Sequence, residues 1–232
     1  MQTLLGLTFC AISFVTVTSV VVVMKFEADR QMVAVVHREL TQVSQQSSDR
    51  ISKWLYERST DVKLAATIAG QAGNAQNLQG TLDRIAQLYP RSVAWVGRTD
   101  ANCRVQMSSN DALKGKVLGG DICTKTRDGL FVSDVYVNEG LDGNYAVNPQ
   151  SVFFIQMAFP IFDQALRYDG FIVMDIRTEY LDSLLTAVYL TVSDGSPARS
   201  FVVSKRTNKV IIGGLCAGTP VSPELMEQAS DG

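Results

Sequence analysis

The sequence predicts an α+β fold, in which a long helical region is followed by an antiparallel sheet of about five strands with flanking helices. Two observations lead to this prediction. First, no proline occurs between Met1 and Tyr89, and apolar residues recur there at spacings of three and four, which is typical of a helix with one buried face. Second, from Ser92 onwards the apolar residues recur with a period of two, which is typical of strands, and loops rather than crossover helices join these strands.

The composition argues against several classes of protein. The chain has 232 residues, of which 21 are basic and 23 acidic, so its formal net charge is −2. Broad binding to nucleic-acid phosphates needs clustered Lys and Arg and is not expected. The single histidine, His37, argues against catalytic triads and multi-histidine metal sites. No P-loop, G-x-S-x-G or H-E-x-x-H pattern occurs, so we expect neither an enzyme nor a cofactor or metal.

The amino-terminal residues are expected to form a membrane anchor. Residues 4–24 contain no charged side chain, and at about 1.5 Å per residue a helix of this length spans the roughly 30 Å hydrocarbon layer. A cleaved signal peptide is the main alternative, although no basic residue precedes the run, and a buried helix is the other. Three basic residues follow the run, and by the positive-inside tendency alone they would put the rest of the chain in the cytoplasm: Lys25, Arg30 and Arg38.

Residues 28–70 are predicted to form one long stalk helix. Such a helix either packs its apolar face on its own domain or is a stalk that also pairs with a second copy in a homodimer. Ser47 and Arg58 interrupt the apolar seam. The residues of the seam are Val33, Val36, Leu40, Val43, Ser47, Ile51, Trp54, Val62 and Ala65.

The remaining elements follow from the change of period. A short helix is expected from Thr81 to the residue before Pro90, and a second helix over residues 178–188 with Thr178 as its N-cap. Turns are expected at residues 99–102 and 168–170, and a loop at residues 139–150. The five predicted strands are residues 93–96, 104–107, 130–137, 151–159 and 171–176, with Pro160 ending the fourth.

The carboxy-terminal residues 191–232 are predicted to form the beginning of a second, smaller subdomain. A hairpin is expected from residues 200–204 and 209–212, and a short helix over residues 221–229. Two strands and a helix cannot bury a core alone, so the hairpin either packs on the first sheet or belongs to a larger unit. The chain thus divides into an anchor with its flank at 1–27, a stalk at 28–70, a sensor-like domain at 71–190 and a partial subdomain at 191–232.

Several stretches together carry a resemblance to a known family. Trp54 to Arg58 resembles a W-x-x-x-R stretch on a long helix, and residues 106–115 resemble a strand that ends in small residues before a glycine. Residues 131–136, 158–163 and 170–176 resemble the vS-x-x-Y, a-x-Pi-x-D and G-x-x-x-x-D-i strands. In this order and spacing they resemble the double Cache (dCache) sensor domains of bacterial transmembrane receptors. The resemblance covers residues 50–188 well and continues weakly beyond them.

The resemblance implies a PAS-like sheet with a ligand pocket, held outside the cytoplasm on a dimeric receptor of the bacterial inner membrane. Such a receptor is a chemoreceptor, a histidine kinase or a cyclic-di-GMP enzyme. The implied ligand is a small polar molecule, either an amino acid, an amine or a carboxylate. The alternative is a structural or protein-interaction module with a vestigial pocket.

The resemblance also implies site residues. In amino-acid-binding members one Tyr and one Asp meet the ligand's ammonium, and Tyr136 and Asp175 fall at those positions. A carboxylate pairs with a cation in a water-poor cleft, and a phenol adds a hydrogen bond or a cation–π face. Arg127 could hold an anionic group, although the R-x-W-[YF] pattern of the family is missing. Trp95 and Asp134 are further candidates, with a core residue and a solvated turn carboxylate as their respective alternatives.

Two of the four cysteines are candidates for a disulfide. Cys103 and Cys123 lie 20 residues apart at the ends of a segment between two strands. In an oxidising periplasm they could pair, and in the chain-entropy model closing such a loop stabilises by roughly 3 kcal/mol. Two free buried thiols are the alternative. No C-x-x-C pattern occurs, so a zinc site is not expected.

Overall fold

A computed structural model gives the fold and describes residues 2–71, 75–138, 141, 153–192, 201–204, 207–212, 219–224 and 226. It describes the backbone alone for residues 2–13, 15, 16, 75 and 188–192. The chain divides into two compact units, Met1–Gln45 and Gln46–Gly232. The first helix, α1, runs from Gln2–Ala69 and contributes to both units.

The first unit is helical throughout its described residues. Large apolar side chains are exposed along it, among them Val23, Met24, Phe26, Met32 and Val33. No helix formed by the described residues is long and apolar enough to cross a membrane. The anchor expected at residues 4–24 falls in part outside the described side chains.

Two helices cover one face of the sheet in the second unit. The last turns of α1 bury Val62, Ala65 and Ala66 in the core. Helix α2 spans Ala75–Leu88 and so begins earlier than the predicted Thr81. It does so because Leu78 is buried one turn before Leu82 and continues the same apolar face.

The sheet has six antiparallel strands in the order β2-β1-β6-β5-β3, with β4 also paired to β5. The predicted antiparallel sheet is therefore confirmed. The expected strand at residues 130–137 is divided into two short strands, because the stretch 132–136 has one residue more than the stretch 154–157 of β5 with which it pairs. The strands are β1 Val93–Thr99, β2 Val105–Ser108, β3 Phe131–Val132, β4 Tyr136–Val137, β5 Phe153–Phe162 and β6 Tyr168–Arg177.

Each face of the sheet carries its own core. On the first face, Ile172, Met174 and Ile176 of β6 pack against α1, α2 and α4, the helix Thr178–Val192. On the second face, Phe171 and Val173 pack with residues of the loops and of α3, the short helix Ile122–Lys125. This strict alternation along β6 follows from the period of two of a strand.

Three local predictions are corrected. Strand β5 continues through Pro160, which pairs with Phe171 of β6. The proline fits because β3 pairs with β5 only as far as Ala158, so its missing N–H removes no bond to β3. The turn predicted at residues 168–170 lies at residues 163–167, where the Asp163 carboxylate accepts bonds from two backbone N–H groups. Thr178 is the first residue of α4 rather than the residue before it, and its hydroxyl donates to the Phe153 carbonyl.

The tail forms the predicted hairpin, from β7 Val202–Val203 and β8 Val210–Ile212. Ile212 is buried in the core of the first face. The helix expected at residues 221–229 lies in part outside the described residues, and so does the loop expected at residues 139–150. The end of α1 also approaches β5 closely, since a Cβ on Gly70 would collide with the carbonyl oxygen of Phe162.

Candidate functional site

A row of three polar side chains crosses the second face of the sheet. Asp175 of β6 stands opposite Trp95 of β1 on one side and opposite Gln156 of β5 on the other. Residues directly opposite in antiparallel strands point to the same face, so the three side chains adjoin. Their neighbours on this face are apolar residues such as Phe154 and Val173.

A β-bulge turns Trp95 into this row. Val93 pairs with Ile176 and Trp95 pairs with Asp175. Between these two pairs β1 therefore contains one residue more than β6. The extra residue, Ala94, shifts the alternation of β1 by one. Glycine at position 97 makes room for the indole, because a Cβ there would overlap the Trp95 ring and lie 2.9 Å from the Met107 carbonyl oxygen.

The Asp175 carboxylate is fully buried and is held by neutral donors. Trp95 Nε1 donates to Oδ2 at 2.6 Å, and Asn138 Nδ2 donates to the same oxygen at 3.0 Å. Gln156 Nε2 donates to Oδ1 at 3.0 Å and to the Tyr136 hydroxyl oxygen at 3.0 Å. Tyr136 is also hydrogen-bonded to the carboxylate. Four side chains therefore surround the Asp175 carboxylate and form with it a polar cluster of five residues.

The electrostatics of this cluster disfavour that charge. Burial raises the pKa of Asp175 above its usual value of 3.8, even though the hydrogen bonds from Tyr136, Trp95, Asn138 and Gln156 act to lower it. Burial and the nearby Asp175 raise the pKa of Tyr136 far above its ordinary range, so the phenol remains protonated. Among the described residues, no Lys or Arg pairs with the Asp175 carboxylate.

On the β4 side, two members of the cluster are only partly buried. Trp95 and Gln156 are buried, whereas Tyr136 and Asn138 are partly exposed. Among the described residues, this buried carboxylate has four neutral donors and no cationic partner, so it attracts a proton or a cation, since burial of an unpaired charge is costly. A cation that reaches Asp175 past Asn138 would therefore form a charge-assisted hydrogen bond there.

The structure brings together three of the five predicted ligand residues: Tyr136, Asp175 and Trp95. Asp134 lies in the link between β3 and β4, where its carbonyl oxygen accepts a bond from the Ser133 hydroxyl. Arg127 is exposed in the 3₁₀ turn Thr126–Asp128, and its guanidinium lies 5.0 Å from the centre of the Tyr168 ring. Tyr168 precedes Asp175 by seven residues on β6, which is roughly 23 Å of strand at about 3.3 Å per residue.

Two members of the cluster were missed by sequence reasoning. Gln156 is an amide within the otherwise apolar run of β5, so its polarity at a buried strand position was an available signal. Asn138 follows Tyr136 by two residues and thus faces the same side of a strand. The described residues contain no group of three His, Cys, Asp or Glu side chains that could hold a metal ion.

A disulfide borders the core of the same face. Cys103, in the turn between β1 and β2, is bonded to Cys123 of α3, with 5.9 Å between their Cα atoms. Both residues belong to the second-face core or pack against it. The bond therefore ties α3 to the β1–β2 hairpin.

A second charged cluster lies on the first face and is built around Arg58 of α1. Its guanidinium is buried 3.4 Å from the centre of the Tyr89 ring and 5.6 Å from that of Trp54. Asp61 lies 3.3 Å from it, and burial raises the pKa of this carboxyl despite the arginine. Trp54 in turn contacts Tyr180 of α4, at 5.3 Å between ring centres. The W-x-x-x-R stretch thus joins α1 to its neighbours.

Comparisons with known proteins identify the fold. No family model matches the chain. No curated protein matches its sequence. The ligand-binding domain of the Pseudomonas aeruginosa PAO1 amino acid chemoreceptor PctC, in complex with GABA, is 18% identical with a TM-score of 0.57 over 78% of each chain.

Two further solved structures have the same fold. The ligand-binding domain of the Pseudomonas fluorescens chemoreceptor CtaA, in complex with L-serine, is 15% identical over 79% of this chain and 75% of that one, with a TM-score of 0.54. The sensory domain of the Campylobacter jejuni chemoreceptor Tlp3, with isoleucine bound, is 14% identical over 83% and 78%, with a TM-score of 0.56. The chain therefore has the fold of chemoreceptor ligand-binding domains, which confirms the fold expected from the resemblance to double Cache sensors.

Proposed function

We propose that this chain is the extracytoplasmic sensor region of a bacterial signal-transduction receptor and that its polar cluster binds the cationic group of a small ligand. One observation carries the proposal: Asp175 is wholly buried on the second face of the sheet, and the described side chains that contact it are all neutral donors. A ligand ammonium would supply the missing positive charge. The fold supports this function, since the similar structures are ligand-binding domains whose ligands, GABA, L-serine and isoleucine, each carry an ammonium group.

Binding would begin at Asn138. Its amide now donates to Asp175 Oδ2 and is partly exposed, so an entering ammonium can replace this neutral bond by a charge-assisted one. Tyr136 would present its hydroxyl or its ring face to the same cation. Trp95 and Gln156, which are buried, would keep the carboxylate in place.

The signal would leave the site through β6. Helix α4 begins at Thr178, three residues after Asp175, and its Tyr180 contacts Trp54 of α1. A shift of β6 on binding would therefore change how α4 packs against α1. A ligand biases such a shift only through different affinities for the two packings.

The sequence supports finer parts of the proposal. Residues 4–24 would anchor the chain by a single pass in the inner membrane, and the domain at residues 71–190 would lie in the periplasm. The seam of the stalk at residues 28–70 would pair with a second copy in a homodimer. Residues 191–232 would open a membrane-proximal subdomain.

Thermal denaturation of the purified protein with GABA, L-serine, L-isoleucine and simple amines as probes tests the function. At 100 times its Kd, a ligand raises the free energy of unfolding by about 2.7 kcal/mol. Asp175→Asn should abolish the shift, whereas Asp169→Asn, an acid of the same strand that pairs with Arg98, should retain it. If no probe stabilises the protein, or if Asp175→Asn responds like the parent, the cluster is a structural one and the vestigial-pocket alternative stands.

A further inference from the structure

We infer that Gln156 is the positioning residue of the ligand site, and that the cationic nitrogen of the ligand carries at least two N–H groups. This inference rests on the function proposed above and narrows the cations that the site accepts. It follows from the way in which one amide joins Tyr136 to Asp175, and from the place that the Asn138 amide nitrogen occupies beside them.

Gln156 lies between the two residues that are expected to meet the ligand. On β5 it stands opposite Asp175 of β6, and it is buried. Its amide nitrogen Nε2 donates to Asp175 Oδ1 and to Tyr136 Oη, at 3.0 Å in each case, so each of its two N–H groups has a defined acceptor. The amide therefore fixes the phenol oxygen and the carboxylate relative to each other.

The orientation of this amide follows from the charge of Asp175. If the amide were turned over, Oε1 would face the carboxylate, and two acceptor oxygens would meet without a proton between them. With Nε2 toward the carboxylate, the Tyr136 hydroxyl accepts from Gln156 and donates its own proton to Asp175. Tyr136 Oη can then accept a hydrogen bond from a ligand but not donate one.

The irregularity between β3 and β4 brings Tyr136 within reach of Gln156. Between the pairs that Val132 and Tyr136 form with β5, the chain has one residue more than β5 has. This shift of the alternation turns Tyr136 to the second face, where it packs on the core. Ser133 holds the backbone of Gln156 at this point, because its N–H donates to the Gln156 carbonyl and its hydroxyl accepts from the Gln156 N–H, both at 2.8 Å.

The Asn138 amide nitrogen marks the place of the ligand nitrogen. Nδ2 lies 3.0 Å from Asp175 Oδ2 and 3.5 Å from Tyr136 Oη. A nitrogen at this place faces two oxygens, so an ammonium that replaces the Asn138 amide needs two N–H groups to bond with both. It would approach both oxygens more closely, because charge-assisted hydrogen bonds are about 2.7–2.9 Å long. Primary and secondary ammonium groups meet this requirement, whereas a tertiary ammonium has one N–H and a quaternary ammonium has none.

A quaternary ammonium would need exposed aromatic ring faces instead of hydrogen-bond acceptors. Trp95 and Phe154 adjoin the cluster, but both are wholly buried, and the indole N–H of Trp95 is directed to Asp175. Neither ring offers a face to a ligand at the cluster. The described part of the site therefore favours hydrogen bonding over stacking as the means of holding a cation.

Stepwise N-methylation of the ligand tests the inference by titration calorimetry on the full chain. The probes are GABA, L-serine, L-isoleucine and propylamine, each with its N-methyl, N,N-dimethyl and N,N,N-trimethyl derivatives. For the probe that binds most tightly, we expect the affinity to fall by at least about tenfold between the N-methyl and the N,N-dimethyl derivative, because one charge-assisted hydrogen bond is lost there. The first methyl group leaves two N–H groups and should weaken binding less than the second.

Variants of Gln156 separate positioning from a merely structural role. Gln156→Met keeps the size of the side chain and removes both of its hydrogen bonds. We expect it to weaken binding of the tightest probe by at least about tenfold and to reduce the fall between the N-methyl and the N,N-dimethyl derivative, because Tyr136 Oη is no longer aligned. A structural role would weaken the binding of all derivatives by the same factor.

Gln106→Met is the matched control. Gln106 is exposed on β2 and also donates to a carboxylate, that of Asp100, at 2.8 Å. Its replacement should leave all affinities unchanged. Tyr136→Phe is a second variant of the site, which removes Oη itself and should likewise reduce the fall between the two derivatives, so the test stands even if Gln156→Met does not fold.

The outcomes separate this inference from the proposed function. If the N,N-dimethyl derivative binds as tightly as the N-methyl derivative and Asp175→Asn abolishes the binding of both, the inference is wrong and the sensor function stands. If Gln156→Met changes no affinity, or changes all of them equally, Gln156 does not position the site. If no probe binds, both the inference and the proposed function fail.

Discussion

Asp175 is the residue whose environment differs most from that of an ordinary carboxylate. Four side chains donate hydrogen bonds toward it, yet its complete burial raises its pKa. An acid whose pKa is higher in the folded than in the unfolded protein binds more protons in the folded state. Its contribution to stability is therefore greatest below its ordinary pKa and is lost as the pH rises through the raised one.

The first prediction follows from this sign. As the pH falls from about 7 to about 4, the parent should gain stability relative to Asp175→Asn, by at most about 1.4 kcal/mol per pH unit. Urea denaturation across this pH range measures the difference in the free energy of unfolding between the two proteins. The contributions of the other carboxylates are common to both proteins and cancel in this difference. A difference that stays constant with pH, or grows in the opposite direction, would show that burial does not raise this pKa.

The second prediction concerns the space beside Trp95. Gly97→Ala should displace the indole and weaken its bond to Asp175, at a cost of about 1–3 kcal/mol in the free energy of unfolding. Tryptophan fluorescence and urea denaturation report both effects. Gly119→Ala is the matched control, because nothing lies within 4 Å of the added methyl group, and it should change stability by less than about 0.5 kcal/mol. Equal effects of the two variants would contradict the crowded position of the ring.

Single residues were predictable to different degrees. Tyr136 and Asp175 could be selected by resemblance, since their strands keep a regular period. For Trp95 the sequence does not distinguish a core residue from a site residue, because a bulge at Ala94 shifts the alternation and a period of two cannot locate such a shift. Gln156 was missed because its strand is otherwise apolar, and only the pairing with β6 brings its amide to a carboxylate.

At the scale of elements, Arg58 connects α1 to the rest of the second unit. It contacts two aromatic rings, and its planar guanidinium can stack on the Tyr89 ring in a way that a lysine ammonium cannot. The contact joins α1 to the residue that follows α2. The motif from Trp54 to Arg58 is therefore explained by packing rather than by ligand contact.

The third prediction uses the difference between an arginine and a lysine in stacking on the Tyr89 ring. Arg58→Lys keeps the charge but loses the stacking on Tyr89, so we expect a loss of about 1–2 kcal/mol in the free energy of unfolding. Arg84→Lys, an exposed change on α2, is the control and should have an effect below about 0.5 kcal/mol. Chemical denaturation measures both. If Arg58→Lys is as stable as the control, the aromatic contacts contribute little.

Element boundaries were less predictable than element types. Helix α2 extends upstream of its predicted start because Leu78 joins its buried face. The strand at residues 130–137 is broken because one extra residue between Val132 and Tyr136 shifts the pairing with β5, although the apolar alternation continues. Local pattern thus gives the type of an element, whereas its ends depend on partners that lie far away in the sequence.

At the scale of the whole molecule, the order of the strands depends on long-range pairing. The alternation of apolar residues predicts an antiparallel sheet, but it cannot tell that β1 pairs with β6, which begins some seventy residues later. The disulfide is a further long-range connection. It joins the β1–β2 turn to α3 across a separation of 20 residues.

The fourth prediction tests this bond. Reduction should lower the free energy of unfolding by roughly 3 kcal/mol, because the open loop gains conformational freedom in the unfolded chain. Denaturation with and without a reductant measures the change. The double variant Cys103→Ser and Cys123→Ser should reproduce the reduced protein and respond no further to reductant. A parent protein that is equally stable in both conditions would contradict the pairing.

The contact between Gly70 and Phe162 has a consequence for evolution. Any side chain at position 70 would push against a carbonyl oxygen of the sheet, so the separation between the end of α1 and β5 is fixed by a missing methyl group. Drift at this position is confined to one amino acid unless the helix and the strand change together. Relatives that replace this glycine should therefore carry compensating changes where β5 ends.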